Sequence, residues 1–208
     1  MDSNQSIFFE NFPLQPRKGD LRKFAIVNAV IACVARDGAE GATHGHLAGH
    51  LKIRRSHVIY YFKDSYSLIV GALQFITAVA QKATIERVKM AASPIDKILA
   101  ISDGAFDWVE AYPDHAKFLL YFYFLCTQDK RYAKLHGQIR EAGFKRIKAL
   151  LEAAFAQHSS PLKLEELAKM LQAMPTGLIV EQFSTGGPSG REVCRKACRE
   201  WMKANFRK

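Results

Sequence analysis

The sequence is poor in the residues that break helices. Seven prolines and 13 glycines are spread thinly over 208 residues, and no alternating apolar–polar run bounded by hairpin turns appears. That excludes a sheet-rich fold and predicts an all-α chain. Cysteine is scarce as well: Cys33, Cys126, Cys194 and Cys198 sit inside apolar helical patterns, without a Cys-x-x-Cys pair. Cys194 and Cys198 fall one turn apart on one predicted helix, a geometry that bridges poorly. All four read as reduced core residues of a cytoplasmic protein. No run reaches the ~18–20 uninterrupted apolar residues of a membrane span. The amino terminus carries Asp2 and no charged-then-apolar leader, so neither a membrane partner nor secretion is expected. A nucleophile elbow, a phosphate loop and an acid–base pair are also missing. Asp103 and Asp107 lie four residues apart and read as solvated carboxylates on a helix. An enzyme is therefore not expected, and no cofactor is implied.

What is present is an ordinary globular share of apolar residues, 49%, and a net charge of +10. That length and composition bury a full core. Residues 1–65 carry nine Lys+Arg against six Asp+Glu, residues 66–190 carry 14 against 12, and the tail from Arg191 carries seven against two. The excess thus lies mostly in the tail. Local sign is more informative: from Gly41 to Lys63 there is no acidic residue, while Lys52, Arg54, Arg55 and Lys63 are present. Such a stretch suits phosphate contact.

The same stretch carries the pattern around which the chain is organised. Thr43 can cap a short helix whose apolar face is Leu47, Ala48 and Leu51. Lys52 and Ile53 make a turn. A second helix follows from about Arg54 to Phe62, with Val58 and Phe62 on its buried side and Arg54, Arg55, Ser56 and His57 at its exposed start. Asp64 or Ser65 can cap the next helix. Two helices packed in this way put side chains into a DNA major groove.

Thr43, Leu47-Ala48, Val58, Tyr61-Phe62 and Leu68, preceded by Ile26-Val27, Ala29-Val30, Cys33-Val34 and Gly38, form an ordered set. Over roughly residues 20–70 this set resembles the DNA-binding domain of TetR-type transcriptional regulators. The resemblance implies a three-helix, helix-turn-helix domain over residues 1–65. A larger helical domain for effector binding and dimerisation would follow over 66–208. It implies a ligand-responsive regulator, most simply a repressor, that binds double-stranded operator DNA as a homodimer and is released by a small molecule. Four positions depart from the family pattern: Lys52 replaces the usual turn Gly, Arg54 the usual Ser, Ile59 a phosphate-touching Tyr, and Ser65 a Lys. Lys52, Ile59 and Ser65 keep a second reading open, a regulator of the same fold that acts through a protein partner. For DNA, Arg55, Ser56 and His57 are expected at base edges, with Thr43, Arg54, Tyr60, Tyr61 and Lys63 toward phosphates.

Along the rest of the chain, residues 1–19 read as an irregular arm broken by Pro13 and Pro16, in which Arg17 and Lys18 can reach the DNA backbone. Asp20 can cap a first helix running to Asp37. A fourth helix, from Tyr66 to about Met90, spans roughly 37 Å. Ser93-Pro94 opens a fifth. Residues 114–127, which contain KFLLYFYFLC, are apolar on every side and should lie at the centre of the body. A long helix follows from Lys130 to His158. Leu164, Leu167, Leu171, Met174 and Leu178 recur at three and four residues, a helix–helix seam that fits a dimer interface and an intramolecular contact equally. Pro175 should kink that helix. Cys194, Ala197, Trp201 and Met202 mark one face of the last helix. The resemblance implies that Leu164, Leu167, Leu171, Leu178, Cys194 and Trp201 meet a second copy.

Phe106, Tyr121, Phe122, Phe124, Phe144 and Met174 are candidates to line an effector pocket, and for each alone a core role is the simpler reading. A bulky apolar effector is the expectation from this composition. His44, His46 and His50 cluster within about a turn, with His46 and His50 at i, i+4 like ligands on a helix. No Glu follows as in HExxH and no Cys is near, so no metal is expected. These histidines read as surface groups near DNA, and mild acid should tighten binding.

Overall fold

The structure is a computed structural model that describes residues 18–155, 162–185 and 190–205. Among these residues there are nine α-helices, one 3-10 turn and no strand. The helices are α1 Lys18–Asp37, α2 His44–His50, α3 Arg55–Tyr61, α4 Ser65–Met90, α5 Pro94–Ala111, α6 Pro113–Gln128, α7 Lys130–Phe155, α8 Leu164–Thr185 and α9 Gly190–Asn205. The 3-10 turn, Gly38–Ala42, links α1 to α2. The expected arm up to Arg17, the end of the long helix near His158 and most of the loop after Thr185 fall outside the described residues.

Local chemistry explains the boundaries. Gly38 follows α1 at φ +62°, a conformation that L side chains resist. Lys18 already belongs to α1, so Asp20 lies in its first turn and is not its cap. The amide of Ser67 donates to Asp64 Oδ1 at 2.7 Å and the Asp64 amide donates to Ser67 Oγ at 3.2 Å, a reciprocal box that opens α4. Ser93 and Asp96 repeat the device before α5. Helix α8 continues from Leu164 to Thr185 through Pro175.

The chain forms two compact units. One runs up to Gln81 and takes in Tyr112–Phe124; the other comprises Lys82–Ala111 and the chain from Leu125. Helices α4 and α6 each pass from one unit into the other. The first unit's core is built on Ile26, Val27, Val30 and Cys33 of α1, Leu47 and Ala48 of α2, Val58 and Phe62 at α3, and Leu68, Ile69, Leu73, Phe75 and Ile76 of α4. Helix α4 is long and apolar enough by composition to cross a membrane, with a mean hydropathy of 1.5 over its best window. Its buried side chains account for much of that hydropathy.

In the second unit, α5 contacts α7, α8 and α9. Ile98, Phe106, Ile147, Leu151, Leu167, Leu171, Cys198 and Met202 form its core, and Phe144, Leu164, Met174, Leu178 and Trp201 pack against it. Both tryptophans, Trp108 and Trp201, belong here, and Trp108 is buried.

Several expectations change. The apolar run in α6 is not at the centre of the body: through Phe124 it belongs to the first unit, and only His115, Ala116, Phe118 and Phe122 are buried. The helix offers one face to its core, so Phe124 stays 57% exposed. Leu167 and Leu171 are buried within the chain's own core, with Leu164 and Leu178 against it. Of these four, Leu164 and Leu178 keep partial exposure. On α9 the inward residues are Cys198 and Met202, while Ala197 is exposed. The side chain of Cys194 is outside the description. Asp103 is not solvated: it is buried and clamped by Arg199. Asp107 pairs with Arg87 and Arg195.

Candidate nucleic-acid interface

The first helix of the expected pair is capped as its sequence suggests. The His46 amide donates to Thr43 Oγ1 at 3.2 Å, and the Thr43 hydroxyl donates to the Glu40 carbonyl at 3.0 Å. At the other end α2 closes on a Schellman turn. The Ile53 amide donates to the Ala48 carbonyl at 3.0 Å and the Lys52 amide to the Gly49 carbonyl at 3.2 Å. The residue that must turn left-handed is Lys52, at φ +53°. The geometry of a glycine turn is therefore kept without the glycine.

Three contacts then fix α3. Val58 and Phe62 are buried beneath it. A Cβ on Gly71 would come within 2.7 Å of the Phe62 ring, so α4 can pass this close only with glycine there. Nε2 of His44 donates to the Phe62 carbonyl at 2.7 Å, tying the start of α2 to the end of α3. His44 is buried and His46 Nε2 stands 2.8 Å from Asp37 Oδ2, so the reading of all three histidines as surface groups near DNA is corrected. His50 and His57 remain exposed.

With Val58 and Phe62 turned inward, Arg54, Arg55, Ser56, His57, Ile59 and Tyr60 are exposed, as is Lys63 beyond the helix. Tyr60 is 80% exposed and lies edge-on to Tyr61, with ring centroids 5.0 Å apart. Tyr61 is half-buried; with Lys18, Gly19, Leu21 and Arg22 it lines a shallow cleft at the start of α1. Lys18 and Arg22, one turn apart on α1, put two cations on one face of that helix.

The candidate effector residues are divided. Tyr121, Phe122 and Phe124 belong to the first unit, and Phe106, Phe144 and Met174 to the second. Phe106 is buried, and the Arg195 guanidinium covers its ring at 5.8 Å. A second cleft, at the start of α8, is lined by Lys148, Lys163, Leu164, Glu165, Glu166 and Lys169, none of which was a candidate.

No protein-family model and no curated protein matches the sequence. Solved structures do match. A transcriptional regulator from Saccharomonospora viridis in complex with choline is similar at 14% identity and a TM-score of 0.80, over 90% of this chain and 98% of that one. A TetR transcription regulator from Haloarcula marismortui is similar at 14% identity and 0.79, over 89% and 98%. One from Chloroflexus aurantiacus is similar at 13% identity and 0.80, over 92% and 99%. The chain therefore has the all-α fold of the TetR-type transcriptional regulators.

Proposed function

We propose that the chain is a DNA-binding transcriptional regulator, most simply a repressor, that holds double-stranded operator DNA as a homodimer. The observation that carries this reading is the exposed start of α3. Arg54, Arg55, Ser56 and His57 stand in solvent on a helix held by Val58, Phe62 and the His44 hydrogen bond. Two such helices in a dimer reach successive major-groove faces about 34–36 Å apart. Residues 1–65 would read DNA, while 66–208 would hold the effector and the second copy. The effector is a small molecule, bulky and apolar by the composition of the candidates. Helix α4 begins three residues after Phe62 and continues to Met90, a covalent route by which occupancy would shift the population of DNA-binding arrangements. A chain of this kind works in the cytoplasm and is not an enzyme.

A gel shift with the DNA flanking its own gene tests the reading at low and moderate salt. A discrete complex that outlasts competitor DNA is expected. No complex at low ionic strength would overturn it. A second reading, regulation through a protein partner, draws on the outer face of α3, where Ile59 is 40% exposed beside Tyr60. Apolar side chains there suit a protein surface better than a phosphate backbone.

A further inference from the structure

Cys33 and Asp37 stand one turn apart near the end of α1, and His46 stands in the first turn of α2. Among the described residues, their potential ligand atoms make a group of His, Cys and carboxylate that all lie within 4.8 Å of one another. Cys33 is fully buried, while the Asp37 and His46 side chains keep 24% and 30% exposure. The sulfur thus forms the floor, and the nitrogen and oxygen the open rim. The carbonyl end of a helix adds negative potential there. The cluster already gathers a cation: Arg36 donates to Asp37 from Nε at 2.8 Å and from Nη2 at 2.7 Å. Its Nη2 also lies 3.5 Å from His46 Nε2. Arg36 is 59% exposed, so swinging it away sacrifices only a surface ion pair.

We propose that Cys33 Sγ, an Asp37 carboxylate oxygen and His46 Nε2 bind a divalent cation of the zinc class, with a fourth position open to water. A thiolate, an imidazole and a carboxylate are the donors such a borderline-soft ion takes. Tetrahedral bonds of about 2.0–2.3 Å require donor separations of about 3.3–3.8 Å. The Asp37–His46 contact, 2.8 Å, must open slightly, and since every separation is at most 4.8 Å none must close by more than about 1.5 Å, within reach of side-chain adjustment. Burial pushes the Cys33 thiol up, while Arg36 draws it down. The metal itself therefore supplies the deprotonation. The thiol proton leaves to solvent, His46 binds as the neutral imidazole with its proton on Nδ1, and no electron is transferred. The bound ion would cross-link α1 to the first helix of the helix-turn-helix. Any effect on DNA affinity rests on the proposed function; the binding of the metal does not.

The test is a Co2+ titration of the purified, metal-stripped full chain without DNA. One Co2+ per chain is expected, with cobalt–thiolate charge-transfer absorption that Zn2+ displaces. Cys33→Ser should lose that absorption. His46→Gln should weaken Co2+ by about tenfold or more, since even an outer-shell partner of a metal counts for that much. His50→Gln should bind as the parent does. Cys33 is buried, so circular dichroism checks each variant, and the partly exposed His46 carries the test where Cys33→Ser fails to fold. No thiolate absorption in the parent, its survival in a folded Cys33→Ser, or parental affinity in His46→Gln would each reduce the cluster to an ion network around Arg36. Cobalt binding by a chain that shifts no DNA would leave the metal site standing and remove the regulator.

Discussion

Arg199 forks onto Asp103, a residue 96 positions earlier in the chain. Its Nε lies 2.9 Å from Oδ1 and 3.1 Å from Oδ2, and its Nη2 closes on Oδ2. The Asp103 side chain is 4% exposed. Beside it, Ser102 Oγ and Cys198 Sγ lie 2.9 Å apart, so the charge pair anchors α9 to α5 within a buried polar seam.

Removing one partner of such a pair strands a buried charge. Arg199→Ala should cost on the order of 2–3 kcal/mol, toward the low end for buried pairs because the guanidinium is partly exposed. Arg199→Lys should recover only part of it, since an ammonium cannot reproduce the fork. Urea denaturation measures both. A loss for Arg199→Ala inside the scatter of surface substitutions would contradict the anchoring role.

Lys52 offers the opposite sign. A left-handed residue other than glycine costs about 1–2 kcal/mol relative to its ordinary conformations. Lys52→Gly removes that strain but loosens the unfolded chain, leaving a net gain of about 0.5–1 kcal/mol. Lys52→Val, β-branched in the same conformation, should destabilise. The chemical denaturation midpoints of the two variants should bracket the parent; a destabilised Lys52→Gly would refute the strain.

His115 titrates against the fold. It is buried, stacked on Tyr112 at 4.9 Å and edge-on to Phe75 at 6.0 Å. Burial lowers its pKa from 6.5 to about 4, with Asp114 opposing weakly. Because the folded value lies below the unfolded one, the unfolded chain takes up the proton first. The contribution is therefore complete above about pH 6.5 and is lost as pH falls toward 4, on the order of 3 kcal/mol over that window. His115→Gln should flatten the difference between stabilities measured at pH 7 and pH 4.5 by circular dichroism. An unchanged slope would mean that His115 is hydrated in the folded protein.

On DNA, Arg55 and Lys63 should behave differently. Arg55→Ala should cost about 1–3 kcal/mol on the preferred site and relax the choice of base. Lys63→Ala should weaken binding to every sequence and lower the slope of log affinity against log salt by about 1. A salt titration on specific and random duplexes distinguishes them, and identical behaviour of the two would undo the assignment.

What could be read from the sequence was local. Thr43 as a cap, Val58 and Phe62 as an inward pair, and Arg55 to His57 as an outward one all follow from helical spacing, and the structure arranges them so. What could not be read were contacts made by polar groups with distant partners. His44 looks like a surface residue until the Phe62 carbonyl, 18 residues on, is brought to its ring. Cys33 and His46 are 13 positions apart, and only the turn through Gly38 and Gly41 makes them neighbours. A Cβ on Gly41 would collide with the Cys33 backbone at 2.3 Å. Asp103 looked solvated because its partner lies on the last helix. Periodicity also fails for a uniformly apolar helix such as α6, where no stripe says which side turns inward.

The confinement of Trp108 and Trp201 to one compact unit has a spectroscopic consequence. Excited at the red edge of its absorption, the protein emits from that unit alone, while the unit that carries α3 stays dark. Comparing the emission melt with the loss of helical ellipticity thus asks whether the two halves unfold in one step. A tryptophan introduced in place of exposed Tyr60 would light the other.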